Sequence, residues 1–454
     1  MSALSFIVYK DLYSWDVKNF LKVENIFKNN IPVKLFGDFL TKANIKKIDI
    51  VDNKTYKILG VRSYGKGVYV NRVVKGDTLK MRKYQLAKKD HLFWCKVDTK
   101  NGAFGIITDE LSDGIASSNM IFAEVDTTKI YLDYLQLLFR SVKINSYMDS
   151  YVTGTTNRKY IKFDELLKIK IPLPLPQQQE EILKKYNAKI ELAKQQEQEV
   201  KEIEDSIEEY LFEELGIEKV EAKKEKSGLQ FVEFKTVYEW GVDKILGELD
   251  FSSTKYDTAS FAKNENLFVD IFRGKSPKYK ADTKKVILNQ KCNRWNEIQL
   301  EYAKTVDEEW FEKIDKNFFT KENDILINST GEGTIGRASN IYQQYSNFIY
   351  DSHLLLLRLN HSLVNSEYFV YLFNSSYGQQ QVDKIKSAQA TKQTELGVNN
   401  LKKIVFPLPS LNIQEKIAKK ITKRKEKIKQ LKQEAQKNRE EAIREFEREI
   451  FDEA

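Results

Sequence analysis

The sequence predicts an α+β protein: two tandem copies of one domain, each followed by a long helix, with the two helices pairing as an antiparallel coiled coil. Three observations carry this. Seven prolines stand at 32, 172, 174, 176, 277, 407 and 409, so five of them fall in two tight clusters. The text around the clusters repeats at an offset of 235, Ile171-Pro-Leu-Pro-Leu-Pro-Gln-Gln-Gln179-Glu180-Glu-Ile182 aligning with Phe406-Pro-Leu-Pro-Ser-Leu-Asn-Ile-Gln414-Glu415-Lys-Ile417. After each cluster comes a run of about forty residues without Gly or Pro and with apolar residues in steps of three and four.

The repeat extends along the chain. Lys10, Tyr13, Trp15 and Val17 recur as Lys235, Tyr238, Trp240 and Val242, an offset of 225. Leu35-Phe36-x-Asp38 matches Leu267-Phe268-x-Asp270, and the segment with Tyr134, Leu138, Phe139 and Ser141 matches the one with Tyr368, Leu372, Phe373 and Ser375. The offset grows steadily from 225 to 235, as expected when a second copy gains a few loop residues. Chance duplication would not keep order. The expected organisation is a first domain over 1–170, a long helix over 171–216, a linker over 217–234, a second domain over 235–405 and a second long helix over 406–454.

Within each domain, strand-like runs such as residues 56–61 and 324–328 alternate with Gly-rich turns, and one helix is expected over 131–141 and its copy. X-Pro then imposes an extended chain before the Gln/Glu-rich helix start. The first helix has apolar positions 182, 186, 190, 193, 200, 203, 207, 211 and 215, with Gly216 as its C-cap and the Lys/Glu-rich stretch 218–228 leading to the second copy. The second has 413, 417, 421, 428, 431, 435, 442, 446 and 450. Residues 177–215 carry twelve acids against five lysines, and residues 416–432 nine bases against Glu426. An acidic and a basic helix are natural antiparallel partners, which would set the two domains at opposite ends of a rod.

Composition narrows the function. At 454 residues and 41% hydrophobic the chain is long enough for at least two cores. Seventy-four Lys+Arg against 66 Asp+Glu gives +8, which permits a nucleic-acid partner without requiring one. Cys95 and Cys292 are far apart and only His91, His353 and His361 are present, so a zinc site or disulfide framework is not expected and a reducing cytoplasm is the natural compartment. The longest aliphatic stretch, residues 354–357, is far short of a membrane span, and the N-terminus lacks a signal-peptide pattern.

No catalytic constellation emerges. There is no Pro-Pro, which excludes the Asn/Asp-Pro-Pro-aromatic tetrapeptide of amino-methyltransferases. Gly274-Lys275-Ser276 resembles the end of a phosphate loop, but position 269 is Val where a Gly is required. Gly331-Glu-Gly333-Thr-Ile-Gly336 satisfies GxGxxG, yet no helix-length segment follows, and a tight turn between strands is the better reading. His91 and His353 sit beside apolar residues as strand or edge histidines, Trp15 and Trp240 read as core anchors, and both cysteines as buried thiols.

What recurs instead is a set of basic, aromatic and amide-rich loops. The first copy has Arg62-Ser-Tyr64-Gly-Lys66-Gly-Val-Tyr69-Val-Asn71-Arg72, then Lys80, Arg82, Lys83 and the stretch from Lys96 to Asn101. The second has Arg273-Gly-Lys275-Ser276-Pro-Lys278-Tyr279 and Lys291-Cys-Asn293-Arg294-Trp295-Asn296. Glycines let backbone approach a phosphate, Lys and Ser hold it, and Arg or Asn reads base edges. Turns also use Gly, Asn and Tyr, so any single loop has a bland alternative; their presence in both copies favours nucleic acid.

These residues resemble the specificity (DNA-recognition) subunit of Type I restriction–modification systems, over nearly the whole chain. The resemblance rests on the twin Pro-Leu-Pro…Gln-Glu-x-Ile helix starts, LGVRSYGKGVY at 59–69, KVDTKNGAFGI at 96–106, RGKSPKY from Arg273 and INSTGEGTIGRAS ending at Ser339. It implies two target recognition domains, each reading one half of a split, asymmetric DNA sequence, with the paired helices as a ruler and as the docking surface for two modification subunits. Those subunits would bind S-adenosylmethionine and methylate adenine. Restriction subunits, two in number, would use ATP and magnesium to cleave unmethylated DNA. The chain itself would bind double-stranded DNA without catalysis, in the cytoplasm and away from membranes. The candidate DNA-binding residues are Arg62, Tyr64, Lys66, Tyr69, Asn71, Arg72, Lys96 and Asn101 in the first domain. In the second they are Arg273, Lys275, Ser276, Lys278, Tyr279, Lys291, Arg294, Trp295, Thr330 and Arg337. The alternatives are a duplicated coiled-coil scaffold organising a protein complex and, less favoured because the sequence holds no catalytic motif, a self-sufficient nuclease or methyltransferase.

Overall fold

Short apolar runs bounded by turn residues form the sheets: Leu92-Phe-Trp-Cys95 and Ile325-Leu-Ile-Asn328 are central strands whose first three side chains are fully buried. The computed structural model describes residues 26–96, 102–149, 161–218, 251–331, 333–387 and 395–451. The stretches 10–17 and 235–242, Asn101 and residues 219–234 of the expected linker lie outside the described residues. The chain divides into two units, Met1–Glu197 with Lys432–Ala454, and Gln198–Leu431.

In the first unit the strands are β1 (Val33–Leu35), β2 (Leu40–Lys42), β3 (Lys47–Asp49), β4 (Thr55–Val61), β5 (Val68–Lys75), β6 (Lys83–Leu86), β7 (Leu92–Cys95), β8 (Phe104–Ile106), β9 (Ile115–Ala116) and β10 (Met120–Val125). Helices α1 (Leu132–Leu138), α2 (Val142–Asp149) and α3 (Phe163–Leu166) follow, then β11 (Lys170–Pro172) and the long α4 (Pro176–Leu215). The sheets run β2-β10-β7-β8 and β3-β6-β9-β4-β5, and β1 pairs with β11.

The second unit repeats this plan. Its strands are β12 (Thr258–Ser260), β13 (Phe268–Arg273), β14 (Val286–Leu288), β15 (Asn293–Arg294), β16 (Glu297–Ile298), β17 (Lys304–Thr305), β18 (Ile325–Asn328), β19 (Ala338–Asn340), β20 (Ile349–Tyr350), β21 (Leu354–Leu359) and β22 (Val405–Pro407). Helix α5 (Glu308–Glu312) lies between β17 and β18; α6 (Ser366–Asn374), α7 (Ser376–Ser387) and α8 (Val398–Lys402) precede β22, and α9 (Leu411–Ile450) ends the described chain. Strand order β13-β21-β18-β19 copies β2-β10-β7-β8, and the parallel pair β14–β20 copies β4–β9. Val33 faces Pro172 as Thr258 faces Pro407.

This register corrects one match. Phe36 and Phe261 are both fully buried after the first strand, and the next residues, Gly37 and Ala262, donate to the carbonyls of Leu167 and Lys402. Leu35-Phe36 therefore corresponds to Ser260-Phe261, not to Leu267-Phe268. The single helix expected over 131–141 is also two helices, because Ser141 stops the first and caps the second, its Oγ accepting from the Ile144 amide at 3.1 Å.

Each unit holds one part of the α4–α9 pair. In the first, Ile182 and Tyr186 pack with Ile443, Phe446 and Ile450; in the second, Val200, Ile203 and Ile207 pack with Ile428 and Leu431. Low numbers meeting high numbers means antiparallel helices. Each fully buried side chain contributes roughly 1.5–3 kcal/mol, whereas the flanking exposed ion pairs are worth about 0.2–1 kcal/mol each, so the seam supplies stability and the charges direct pairing. Glu199 meets Lys427 and Glu197 meets Arg439, but nearer the start of α4 the signs reverse: Lys185 binds Glu449, and Lys189 binds Glu441 and Glu445. The acidic-against-basic pattern thus holds for only part of the pair. Where the apolar pattern steps by seven, Gln196 donates to Glu434 and accepts from Asn438, a polar layer that fixes register.

Pro176 opens α4, with the Gln178 side chain accepting from the Leu175 amide. Gly216, at φ +62°, closes it: its amide donates to the Glu213 carbonyl and that of Ile217 to the Phe212 carbonyl.

Candidate nucleic-acid interface

The site in the first unit is the tip and outer face of the β4–β5 hairpin. Residues 62–67 turn sharply, with Tyr64, Gly65 and Gly67 at positive φ and the Arg62 amide donating to the Gly67 carbonyl. Gly65 is pinned from two sides: its amide donates to Gly102 and its carbonyl accepts from Gln136 Nε2 at 2.6 Å. A Cβ there would lie 2.5 Å from the Phe139 carbonyl carbon. With the glycine held, Tyr64 (53% exposed) and Lys66 project outward.

Behind the tip, the Arg62 guanidinium lies 4.8 Å from the Tyr69 ring centroid, and Tyr69 Oη donates to Asn71 Oδ1 at 3.4 Å. The pairing of β4 with β5 shifts between Ile58 and Leu59, which leaves Asn71 as the extra residue of a bulge on an edge strand. Asn71, Arg72 and Val73 are all exposed. Neighbouring cations are paired, Lys57 with Asp113 and Arg82 with Asp52. Among the described residues no carboxylate pairs with Arg62, Lys66 or Arg72. Lys96 stands apart from the hairpin, with Nζ donating to the Ser118 carbonyl at 3.0 Å.

In the second unit β14 and β17 stand where β4 and β5 do, and the hairpin β15–β16 lies in the connection between them. Asn296 turns it at φ +61°; its amide donates to the Ala338 carbonyl and its side-chain oxygen accepts from Asn374. Trp295, 45% exposed, lies beneath the Arg337 guanidinium at 5.8 Å, and Arg294 covers Tyr302 at 4.9 Å. Buried Asn293 bonds the carbonyls of Leu326 and Arg337 and the side chain of Asn328, so the hairpin is fastened to the β18–β19 turn. In that turn Gly331, Gly333 and Gly336 all have positive φ, and a strand follows at once. GxGxxG here is a turn between antiparallel strands.

Register gathers further groups at the same end of this sheet. Arg273 ends β13 opposite Leu355, and Asn328 ends β18 opposite Leu354. Thr330 Oγ1 lies 2.7 Å from His353 Nδ1, and Arg273 Nη1 lies 2.7 Å from Glu395. His353, expected as a strand or edge histidine, is exposed in the turn before β21, and its amide donates to Asp351 Oδ1. His91 by contrast is buried, and burial depresses its pKa. Burial raises that of the Asp351 carboxyl, against the opposing bond from the His353 amide. His353 and Glu395 carry no local motif: the chain brings His353 to Thr330, and the bonds between Leu396 and Ser329 bring Glu395 to Arg273.

The remaining candidates follow β13 and β14 in the chain. Lys275 Nζ sits 3.4 Å from the Phe318 centroid, and Lys304 covers Tyr279 at 4.8 Å. Ser276, Lys278 and Lys291 are exposed, and among the described residues no carboxylate forms an ion pair with Lys278, Lys291, Arg294 or Arg337. Cys292 is buried and Cys95 half-buried, both free thiols. Among the described residues no His, Cys, Asp or Glu group could hold a metal, and no helix is long and apolar enough to cross a membrane.

Each site has its own support, built alike in the two units. Asn145 in α2 and Gln379 in α7 donate to the carbonyls of Phe139 and Phe373, each at 2.9 Å, and each faces a positive-φ glycine, Gly102 or Gly336. The model of the Type I restriction modification DNA specificity domain matches residues 30–202 and 268–438, one match per copy. The chain belongs to this family. As a specificity subunit it recognises DNA and is non-catalytic. A chain from a structure of the type I R-M system, concerned with complex assembly and conformational transition, shares the fold: it is 12% identical, with 92% of this chain and 96% of that chain covered and a TM-score of 0.56. The HsdS subunit from Thermoanaerobacter tengcongensis (13% identity, 93% and 95% covered, TM-score 0.44) and the S subunit from M. genitalium (12%, 94% and 98%, 0.46) are more distant in shape. No curated protein matches the sequence.

Proposed function

We propose that this specificity subunit recognises a split, asymmetric DNA sequence, each domain reading one half-site of about three or four base pairs through a few side chains while Lys and Arg contacts to phosphate supply affinity and salt dependence. The observation that carries this is the twin hairpin. The β4–β5 hairpin of the first unit and the β15–β16 hairpin carried between β14 and β17 in the second each present a guanidinium on an aromatic ring beside exposed cations that no described carboxylate pairs. In this reading the α4–α9 pair sets the gap between half-sites and docks two modification subunits, which bind S-adenosylmethionine and methylate adenine. Two restriction subunits with ATP and magnesium complete the complex, in the cytoplasm.

Methylation-sensitive sequencing of DNA from cells making this chain with its modification subunit tests the proposal. Two short methylated half-sites with a fixed gap are expected; an unmethylated genome would favour the scaffold alternative. In a base-substitution binding series, Arg273→Ala with Lys275→Ala should alter one half-site only, and equal losses across both would defeat the modular assignment.

A further inference from the structure

Arg273 reaches the DNA-facing end of the second unit's sheet, yet its guanidinium is already engaged. Nη1 lies 2.7 Å from Glu395 Oε1, and Nε donates to the Ser352 carbonyl at 3.3 Å. Glu395 is not a side chain that wandered there. The next residue, Leu396, is fully buried and strapped to the end of β18: its amide donates to the Ser329 carbonyl at 2.7 Å, and Ser329 Oγ donates to its carbonyl at 3.0 Å. Ser329 Oγ also lies 3.3 Å from the same Glu395 Oε1. The backbone therefore delivers a carboxylate to this arginine. Carboxylate and phosphate oxygens make the same charge-assisted contacts with a guanidinium.

We infer that Glu395 is a built-in phosphate surrogate for Arg273 and a specificity-determining residue of this domain. Any duplex approaching Arg273 has to exchange the Glu395 contact for a phosphate contact. Random-sequence DNA offers phosphates alone, so the exchange returns little; a cognate half-site adds base contacts that make the exchange favourable. The carboxylate thus weakens non-specific binding more than specific binding. Both side chains are partly open to solvent, 52% for Arg273 and 33% for Glu395, so the expected effect is modest, about two- to fivefold in affinity.

The inference rests on the proposed DNA contact by this sheet end, and one binding series separates the two. The full chain with its modification subunit is titrated with a 30-bp random-sequence duplex across a salt series, as wild type, Arg273→Ala, Glu395→Gln and the double variant. Arg273→Ala should bind more weakly. Glu395→Gln should bind two- to fivefold more tightly at low salt, with a salt slope steeper by about 0.9 as Arg273 gains a phosphate. In the Arg273→Ala background that gain should vanish. If Arg273→Ala binds like wild type, the DNA contact itself is wrong. If Arg273→Ala weakens binding but Glu395→Gln changes nothing, or its gain persists without Arg273, the surrogate is wrong and Glu395 acts through general repulsion or not at all. Unchanged thermal midpoints in all four proteins exclude misfolding as the cause.

Discussion

Gln179 and Gln414, whose numbers differ by 235, hold the same three backbone partners in their respective units. Gln179 Nε2 donates to the carbonyls of Lys129 and Pro174 and its Oε1 accepts from the Tyr131 amide; Gln414 Nε2 donates to Leu363 and Pro409 and its Oε1 accepts from the Asn365 amide. Both side chains are fully buried. Tyr134 and Tyr368 add a matching pair of bonds to the carbonyls of Pro172 and Pro407. The proline clusters, which first mark the repeat, are thus the segments that fasten each long helix to its own domain.

Replacing either glutamine by alanine strands three buried backbone groups. A loss of about 1–3 kcal/mol is expected for each. Because each glutamine acts within one unit, hydrogen exchange followed by mass spectrometry should show faster exchange in that unit around the helix start and α1 or α6. Faster exchange in both units from one substitution would contradict this local role.

Gly65→Ala places a methyl group against the Phe139–Arg140 backbone at a positive φ. The hairpin tip has to move, at a cost of about 1–3 kcal/mol. Binding to the half-site read by the first domain should fall while the other half-site is still read, as a base-substitution series checks. Gly67→Ala, where a Cβ meets nothing within 4 Å, is the control: it carries the conformational strain without the collision and should be milder.

Asp351 gives the stability a defined pH dependence. Its pKa is raised by burial, so in the window between the ordinary carboxylate range and the raised value the folded state binds more protons than the unfolded state. This residue's contribution to stability therefore falls as pH rises through that window. Asp351→Asn keeps an acceptor for the His353 amide and removes the buried charge. The variant should melt above wild type at neutral pH, with the difference shrinking as pH falls toward the ordinary carboxylate range. A difference that grows on acidification would show the carboxylate to be stabilising.

What was legible in the sequence was local or periodic. Every apolar position expected on α4 and α9 is buried or half-buried, because the 3.5-residue period and the absence of Gly and Pro are readable from neighbours alone. The hairpin loops were legible for a similar reason, since Gly, Asn and aromatic residues crowd where a turn must be tight. Long-range register was not. Leu35-Phe36 matched Leu267-Phe268 in letters but pairs with Ser260-Phe261 in the sheet. Arg273 and Glu395 lie far apart in the chain and meet only because Leu396 is bonded to Ser329 at the end of β18. The sign reversal at Lys185 and Lys189 depends on which turns of the two helices face each other, which the total charge of a helix does not encode.

The polar layer at Gln196 and Asn438 offers a place to change helix length without disturbing the apolar seam. Seven residues inserted into both α4 and α9 there preserve the heptad register and add about 10 Å of helix. If the pair measures the distance between half-sites, the recognised gap should lengthen, by no more than about three base pairs at roughly 3.4 Å each, with both half-sites unchanged. The same insertion in one helix alone should shift Gln196 off Asn438, lower the melting temperature and leave no new defined gap. Selecting bound sequences from a library with randomised gaps reads all of these outcomes together. Recovery of the original gap from the doubly extended protein would remove the helices from the role of spacer and leave them as docking surface alone.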